Sequence, residues 1–468
     1  MSEENKGTLK KAFFYSFGQI SDQTAYQSFI LLVFTFYFAV VRIDIWLITL
    51  GYSIWSVWNM LNDPMIGYLS DRTHTRWGRR LPYIIIFFVP LALTMYFLFT
   101  PPLPIGPANQ VGNFFYFLII IIIFELFYTA FSLNYTSLFP EIFLSKKERT
   151  KANNIRQIFT IISLLFAFIL PGFIITDYSN PTPTALPEYQ LFGIIAGIIV
   201  VAGIVVFILF GPRERPEFSQ DYKNAFSLYK TIKFCFKSKS FRFYVIAELC
   251  NWFVFGMLPT IIPLYAKFVL LEEDAFMASL LLGIAFLSAT IFVTILWRPV
   301  VRKISNRKAW MISMATWILA LLPLILIPDF MSGMIVFFFM GIGLAGSLYI
   351  IDLVVADIVD EDELATGMRR EAGYYGVNAL VLRFSNILVI FAIAMVFDTV
   401  GWTTFVPTLS PSELLRVGLG LKVLIFVFPA IALAIGILAI YKYPLHGEKL
   451  SNVQEKLKEL HEQKKARV

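Results

Sequence analysis

The amino-acid sequence predicts an all-α polytopic membrane protein that crosses the bilayer about twelve times. The chain of 468 residues is 58% hydrophobic and only 15% charged, with a mean hydropathy of +0.71. A soluble domain is nearer half apolar and a quarter charged. Apolar runs of about 20 residues, which is the length that crosses the hydrocarbon core, recur along the whole chain. Most of the 39 lysines and arginines lie between these runs.

The apolar runs divide into two sets of six. We place the spans near residues 13–41, 45–69, 82–100, 113–138, 153–175, 191–210, 241–269, 276–297, 309–327, 330–351, 373–397 and 417–441. The expected organisation is an N-terminal six-helix half at 1–210, a linker at 211–240, a C-terminal six-helix half at 241–442 and a tail at 443–468. Within the linker, residues 218–236 alternate lysine with Phe, Tyr and Leu, which predicts an amphipathic helix on the membrane surface.

The distribution of basic residues predicts the orientation. The termini and every second loop are rich in Lys and Arg, whereas the loops at 101–112, 176–190 and 271–275 contain none. By the positive-inside rule, both termini and the basic loops are expected in the cytoplasm of a multi-pass protein of the cell membrane.

The stretch at residues 58–83 combines an apolar helix with a basic loop. Asp63 lies inside the apolar run and Asn59 lies four residues earlier, so both side chains share one face of a helix. An ionisable group within a span is costly, which makes a functional role its default interpretation. The loop that follows carries four arginines and a histidine and must stay in water.

Further polar residues fall within the predicted spans. They are Asp22 and Gln23 in span one, Glu125, Thr129 and Ser132 in span four, Arg156 in span five, Asp352 at the end of span ten, Asn378 and Arg383 in span eleven, and Lys422 in span twelve. We expect functional roles for Asp63, Arg156 and Arg383, which sit within long apolar helices. We interpret Glu125, Lys422 and Asp352 as structural or snorkelling, because they lie near span ends or lack an obvious partner.

Several function classes find no support in the sequence. Two cysteines and three scattered histidines indicate neither a disulfide framework nor a metal site beyond possible Na⁺ at Asp63. There is no nucleotide-binding loop and no catalytic motif, so we predict neither an enzyme nor a cofactor. The two-halves layout instead favours a transporter that exposes a midplane site alternately to each side.

Three ordered motifs identify a family resemblance. The stretch NDPMIGYLSDRTHTRWGRRLPY at 62–83 resembles the signature of the glycoside–pentoside–hexuronide:cation symporters, the melibiose-permease family of the major facilitator superfamily. The segments at 134–157 and 355–386, and the closing YPLHGEKL at 443–450, are similar to later segments of that family. The resemblance implies the major facilitator fold over essentially the whole chain.

The resemblance implies a cation site on spans two and four. Asp63 and Thr129 match the family pattern, but Asn59 stands where the first of two acids is expected. One carboxylate with neutral oxygens can still bind Na⁺, and a lone buried carboxylate can equally carry a proton. Cation coupling is therefore expected, with the ion, Na⁺ or H⁺, left open.

The resemblance also implies a sugar site on spans one, four, five and eleven. The matching positions, together with two polar neighbours, are Gln23, Asp22, Ser132, Thr136, Arg156, Asn378 and Arg383. The span-four acid and aromatic of the family are replaced by Ser132 and Thr136. Two arginines with fewer acids favour an anionic or strongly polar substrate such as a hexuronide, with a neutral sugar as a close alternative.

Charged residues at the cytoplasmic ends of the spans form the third implied set. In the family such residues close the inner barrier when the cavity faces outward. The positions here are Asp71, Arg149, Asp357, Asp360, Glu363 and Arg369. The simpler interpretation is that these charges only set the topology.

Together these features predict a secondary active transporter that carries a sugar, glycoside or hexuronide with a cation. The expected partners are the small-molecule substrate and the lipid bilayer, with no nucleic acid and no obligate protein partner. One alternative is a carrier of lysolipids or other amphiphiles with the same fold, since eukaryotic relatives of the family move lysophospholipids. Another is a proton-coupled or uniport carrier of a different small solute.

Overall fold

A computed structural model describes residues 3–73, 75–143, 146–213, 228–327, 329–366 and 371–465. The described part of the chain is helical. Its α-helices are α1 Glu3–Thr35, α2 Ile45–Arg72, α3 Leu81–Phe97, α4 Gln110–Ile142, α5 Lys146–Phe168, α6 Ala185–Phe210, α7 Leu228–Lys237, α8 Lys239–Phe268, α9 Ala275–Phe292, α10 Arg298–Lys303, α11 Asn306–Leu321, α12 Phe330–Thr366, α13 Glu371–Thr399, α14 Pro411–Lys422, α15 Phe428–Tyr441 and α16 Glu448–Lys465. Short π-helical turns at Phe36–Val40, Val293–Trp297 and Val423–Val427 continue or join several of them.

The predicted spans are confirmed as helices. Among the described residues, ten helices are long and apolar enough to cross a membrane. The second and third predicted spans correspond to α2, with 28 residues, and to the apolar helix α3, with 17. At 1.5 Å per residue these two helices are about 42 Å and about 26 Å long. The fold class is therefore that of a polytopic all-α membrane protein.

The ends of the long helices follow from local sequence. The side chain of Asp44 caps α2 by accepting a hydrogen bond from the backbone N–H of Trp46. Ser305 caps α11 by accepting from the N–H of Lys308. Pro82 stands in the first turn of α3, where its missing N–H costs nothing.

The structure divides into two compact units, and each is described by itself. Unit 1 comprises Met1–Ala225, Pro259–Gly283 and Ala394–Gly418, and unit 2 comprises Phe226–Leu258, Ile284–Ile393 and Leu419–Val468. In unit 1, α1 packs against α5 and α6, α3 packs against α4 and α6, and α2 packs against α4. The pairing of α2 with α4 positions the first polar cluster.

Glycines let α6 approach its neighbours in unit 1. A Cβ atom on Gly193 would lie 2.4 Å from the carbonyl oxygen of Met95, and one on Gly197 would lie 2.7 Å from that of Ala92. Small residues four apart allow helix backbones to come close inside a membrane, where packing rather than water exclusion drives association. The contact between α3 and α6 therefore depends on these glycines.

At one end of unit 1, the loop after α5 contacts the last turn of α8 and the beginning of α9. The Lys267 Nζ lies 2.5 Å from the Asp177 Oδ2, and both side chains are largely buried. The hydroxyls of Tyr178 and Ser279 are 2.5 Å apart, and the N–H of Ala275 donates to the carbonyl of Thr176. This end of unit 1 is closed by polar contacts.

In unit 2, α11 packs against α12 and α15, and α12 packs against α16. Glu361 on α12 joins two other elements. It accepts a hydrogen bond from the hydroxyl of Ser240 at 2.5 Å and pairs with Lys449 of α16 at 2.6 Å. The predicted surface helix at 218–236 falls partly on residues 218–227, which lie outside the described residues, and α7 occupies the part that follows.

Candidate functional site

The first polar cluster of unit 1 lies where α2 meets α4. The hydroxyl of Thr129 on α4 donates a hydrogen bond to the carboxylate of Asp63 on α2 at 3.0 Å. Thr129 is 2% exposed. Pro64 follows Asp63 and has no N–H, so the carbonyl of Met60 lacks its usual helical hydrogen bond. The structure therefore brings Asp63 and Thr129 together.

A second carboxylate lies in the same cluster. Glu125 is 0% exposed, and its Oε1 lies 3.4 Å from the Thr129 hydroxyl. Its other oxygen, Oε2, accepts a hydrogen bond from the indole N–H of Trp55 at 3.0 Å. The amide of Asn62 donates to the backbone carbonyl of Glu125 at 3.1 Å. Glu125 lies in the middle of α4 and not near its end, and its hydrogen bond from Trp55 is the kind of helix-to-helix contact that a structural interpretation expects.

Asn59 completes the α2 face of this cluster. Its side chain is 0% exposed, and neither polar atom of its amide has a hydrogen-bond partner among the described residues. The Oδ1 of Asn62, which is also fully buried, likewise lacks a partner in the described part of the chain. Buried amides are normally hydrogen-bonded, so each such atom calls for an explanation such as an ion or a water.

The second polar cluster of unit 1 is centred on Asp22 of α1. Its Oδ1 accepts hydrogen bonds from Ser132 at 2.5 Å and from the hydroxyl of Tyr128 at 3.1 Å. Its Oδ2 accepts from the Gln23 amide at 2.9 Å, and Gln27 donates to Gln23 at 3.3 Å. Asp22 is 3% exposed. The structure therefore brings together Asp22, Gln23 and Ser132.

The remaining predicted substrate residues of unit 1 stand at the border of this cluster. The Arg156 guanidinium lies 4.7 Å from the centre of the Phe139 ring and interacts electrostatically with Asp22. The hydroxyl of Thr136 is exposed but donates to the backbone carbonyls of Ser132 and Leu133 within its own helix. Thr136 is thus oriented toward its helix in this structure.

The two clusters share helix α4. Glu125 and Thr129 belong to the first cluster, and Tyr128 and Ser132 belong to the second, so the four alternate along two turns of one helix. The Tyr128 ring also stacks on Tyr26 at a centroid distance of 4.9 Å and on Phe124 at 5.9 Å. A small rotation or shift of α4 would change both clusters at once.

The predicted substrate residues Asn378 and Arg383 lie on α13 in unit 2. Asn378 is 5% exposed and lies close to Glu248 of α8. Glu248 accepts a hydrogen bond from the indole N–H of Trp252 at 3.3 Å and is 3% exposed. The role of Asn378 and Arg383 in substrate binding stays a prediction.

The predicted inner-gate residues are divided between the units. Asp357 is buried in unit 2 and accepts from the Asn306 amide at 2.9 Å, while Asp360 and Glu363 lie on the same helix. In unit 1, Arg149 donates to the carbonyl of Phe143 at 2.8 Å. Asp71 belongs to the last turn of α2, and Arg369 lies outside the described residues. Their gating role stays a prediction.

The basic loop after α2 has a partner that the sequence analysis did not single out. Glu141 at the end of α4 accepts from Arg79 at 2.7 Å and from Arg80 at 3.0 Å. All three side chains are at most 12% exposed. The arginine loop is therefore anchored to α4 within unit 1.

The sequence analysis did not single out Trp55 and Tyr128, and it named Glu125 only as structural or snorkelling, although the sequence carried a usable signal for Glu125 and Tyr128. Glu125 lies four residues before Thr129, and Tyr128 lies four residues before Ser132, so each shares a helix face with a predicted site residue. No such spacing points to Trp55 as a partner of Glu125, because the two residues are 70 positions apart on different helices.

Comparison with known proteins places the chain among membrane transporters. A family model described as MFS/sugar transport protein matches residues 14–447. An uncharacterized symporter of Synechocystis is 25% identical over 433 residues, covering 76% of this chain and 79% of that protein. The sodium-dependent lysophosphatidylcholine symporter 1-B of Danio rerio is 23% identical, covering 86% and 81%. The isoprimeverose transporter of Lactiplantibacillus pentosus is 23% identical, covering 66% and 63%.

A solved structure agrees with this placement at the level of the fold. The crystal structure of a D-xylose-proton symporter superposes with a TM-score of 0.66 and covers 93% of this chain and 97% of that one, at 14% identity. The family match extends over nearly the whole length of the chain, from α1 to the residues that precede α16. The protein is a membrane transporter and belongs to the MFS/sugar transport family of the major facilitator superfamily.

Proposed function

We propose that this transporter is a secondary active symporter that carries a sugar, glycoside or hexuronide together with a cation by alternating access. One observation carries the proposal. Two carboxylate clusters, around the half-buried Asp63 of α2 and the buried Asp22 of α1, take their α4 members from interleaved positions on the same two turns. Carboxylates inside a membrane protein are costly and mark ion and substrate sites.

The Asp63 cluster suits a cation. Asp63, Thr129 and Asn59 offer carboxylate, hydroxyl and amide oxygens, which are the hard ligands that alkali cations take. Cation binding would neutralise buried negative charge that is unfavourable in a low-dielectric interior. Coupling follows if only the empty carrier and the carrier loaded with both ligands change conformation readily.

The Asp22 cluster suits a polyhydroxylated substrate. Its carboxylate and the Gln23 amide offer acceptors and donors to sugar hydroxyls, and the aromatic pair Tyr26 and Tyr128 offers ring surface. Asp22 also places a carboxylate next to Ser132, the position at which the family has an acid. Its negative charge offsets the positive charge of Arg156. This balance favours neutral glycosides at least as much as hexuronides.

A lysolipid is the second candidate substrate. Several relatives are named sodium-dependent lysophosphatidylcholine symporters. In this chain, a column of rings runs beside the Asp22 cluster, formed by Tyr26, Tyr128, Phe124 and Phe29, with Phe29 and Phe124 stacked at 4.7 Å. An apolar wall of this kind could accept an acyl chain as well as the face of a sugar ring.

The test is a binding panel on purified protein. Thermal unfolding is measured with glycosides, pentosides, uronides and lysophospholipids, each in NaCl and in choline chloride, and at two pH values. A ligand at a hundred times its dissociation constant adds about 2.7 kcal/mol of stability. We expect a sugar or uronide shift that grows with Na⁺ or with acid. A shift with lysophospholipids alone would overturn the sugar assignment in favour of the second candidate.

We also propose that the protein resides in the cell membrane with both termini in the cytoplasm. The support is the excess of Lys and Arg in alternate loops. A protease site placed after the C-terminal residue should resist external protease in intact cells and be cut after permeabilisation. Cleavage in intact cells would contradict this orientation.

A further inference from the structure

The cluster between α2 and α4 contains a carboxylate that the family pattern does not assign to its cation site. The extra residue, Glu125, is fully buried, and its Oε1 lies 3.4 Å from the Thr129 hydroxyl, which also donates to Asp63 at 3.0 Å. Both carboxylates thus lie within reach of a single hydroxyl group. Thr129 has one proton to donate, so it cannot satisfy both carboxylates fully at the same time.

The orientation of Glu125 is fixed from the opposite side. Trp55 donates its indole N–H to Oε2 at 3.0 Å, and Asn62 holds the backbone of Glu125 at 3.1 Å. The remaining oxygen, Oε1, is therefore directed toward Thr129 and the Asp63 side of the cluster. An acid with a purely structural role against Trp55 would not need to face a second carboxylate.

An independent observation points to a ligand site at this place. Asn59 lies one turn after Trp55 and one turn before Asp63, on the α2 face whose flanking residues contact Glu125 and Thr129. Its amide is 0% exposed and has no hydrogen-bond partner among the described residues. The buried Oδ1 of Asn62, beside Glu125, is in the same state in the described part of the chain. Buried oxygens around two carboxylates form a site for a cation.

We infer that Glu125 is a ligand of the coupling cation and supplies from α4 the second carboxylate that Asn59 does not supply from α2. The site then offers Na⁺ two carboxylates, the Thr129 hydroxyl and the Asn59 amide oxygen, all from unit 1. This inference rests on the proposed cation-coupled function and assigns Na⁺ as the ion. Two carboxylates attract a monovalent cation more strongly than one carboxylate does, because each contributes a negative charge close to the ion.

The first experiment measures Na⁺ binding by thermal unfolding and by isothermal titration with NaCl against choline chloride at constant ionic strength. Glu125→Gln keeps the size of the side chain and an acceptor for Trp55 but removes the charge. We expect the dissociation constant for Na⁺ to rise at least tenfold in this variant, and Asp63→Asn to abolish the response. Glu273→Gln, the same change at an exposed carboxylate of unit 1, should leave Na⁺ binding unchanged.

The second experiment moves the carboxylate from α4 to α2. In the double variant Asn59→Asp with Glu125→Gln, an acid stands one turn before Asp63, as the family pattern has it. We expect this variant to recover Na⁺ binding to within about threefold of the original protein, since the site again has two carboxylates. Recovery also excludes misfolding as the reason for the loss in Glu125→Gln.

Each outcome decides between the inference and the function on which it rests. If Asp63→Asn loses the Na⁺ response while Glu125→Gln keeps it, the inference fails and the cation-coupled function stands. If the original protein responds to acid and never to Na⁺, Glu125 is not a Na⁺ ligand, although cation coupling survives. If neither Na⁺ nor acid changes substrate binding in the original protein, both the inference and the proposed function fail.

Discussion

At the scale of single residues, the buried acids of unit 1 are notable for the donors that surround them. An unpaired charge in a membrane interior is strongly unfavourable, so such groups persist only where hydrogen bonds or ions compensate them. Asp22 accepts from Ser132, Tyr128 and Gln23, and Glu125 accepts from Trp55. Each acid thus has a different set of partners, which is why we assign them to different ligands.

The Asp22 cluster leads to a first prediction. Asp22→Asn removes the charge and half of the acceptor capacity while the three donors remain. We expect substrate affinity to fall by at least tenfold, a loss of about 1.4 kcal/mol. Na⁺ binding measured without substrate should change by less than threefold, because the Asp63 cluster is left intact. Tracer binding and NaCl titration measure the two quantities.

The control for this variant is Thr136→Val on α4, the helix that supplies Ser132 and Tyr128 to the Asp22 cluster. The Thr136 hydroxyl donates to backbone carbonyls of α4, so its loss should leave substrate affinity within about twofold. A large effect of Thr136→Val together with a small effect of Asp22→Asn would contradict the assignment of the substrate cluster to Asp22.

At the scale of helices, α4 and α6 have different roles: α4 contributes polar side chains to both clusters, and α6 contributes close helix packing. Helix α4 presents polar residues on successive turns to α1 and α2, and so it links the two clusters. Helix α6 presents glycines to α3 and α1. A Cβ on Gly203 would lie 2.7 Å from the carbonyl oxygen of Phe17 in α1. The close packing of α6 holds α1, which carries Asp22, in place.

This packing leads to a second prediction. Gly193→Val places a branched side chain where a Cβ alone would meet the Met95 carbonyl at 2.4 Å. We expect a destabilisation of about 1–3 kcal/mol, the usual cost of overpacking. Thermal unfolding in detergent measures it. Gly7→Val is the control, since a Cβ at Gly7 meets no atom of the described chain within 4 Å. Equal unfolding temperatures for both variants would contradict the packing argument.

At the scale of the whole molecule, the relevant feature is the closed end of unit 1. There the loop after α5 contacts the last turn of α8 through Asp177 and Lys267, and the beginning of α9 through Tyr178 and Ser279. A carrier that works by alternating access must open and close each end in turn. A largely buried ion pair of this kind can break and reform if each opening exposes both charges to water.

This end leads to a third prediction. Lys267→Asp places a second carboxylate beside Asp177 and should favour the open state. We expect maleimide labelling of Ser279→Cys, at a position that is 1% exposed, to become about tenfold faster, equivalent to about 1.4 kcal/mol. The background protein lacks Cys235 and Cys250, the two native cysteines.

The matched control reverses the charges. Asp177→Lys combined with Lys267→Asp restores an opposite pair and should return labelling close to the original rate. If the single and double variants label equally fast, the ion pair does not hold this end closed and the contact is only a consequence of packing around it.

The sequence by itself determined the fold class, the positions of the spans, the family and the identity of most candidate residues. These follow from hydropathy, which is summed along the chain and needs no knowledge of neighbours, and from motifs such as the one at residues 62–83. The placement of Asp63 one turn after Asn59 also follows from helical periodicity alone.

Only the tertiary structure decided which polar groups meet. Asp22 and Ser132 are 110 positions apart, Trp55 and Glu125 are 70 apart, and Arg79 and Glu141 are 62 apart. Whether such residues touch depends on how each helix is rotated about its axis and where it crosses its neighbour. Those quantities are set by packing, including the glycine contacts of α6, and the pattern of a single helix does not contain them. For that reason Glu125, which looked unpartnered in the sequence, became the second carboxylate of the proposed cation site.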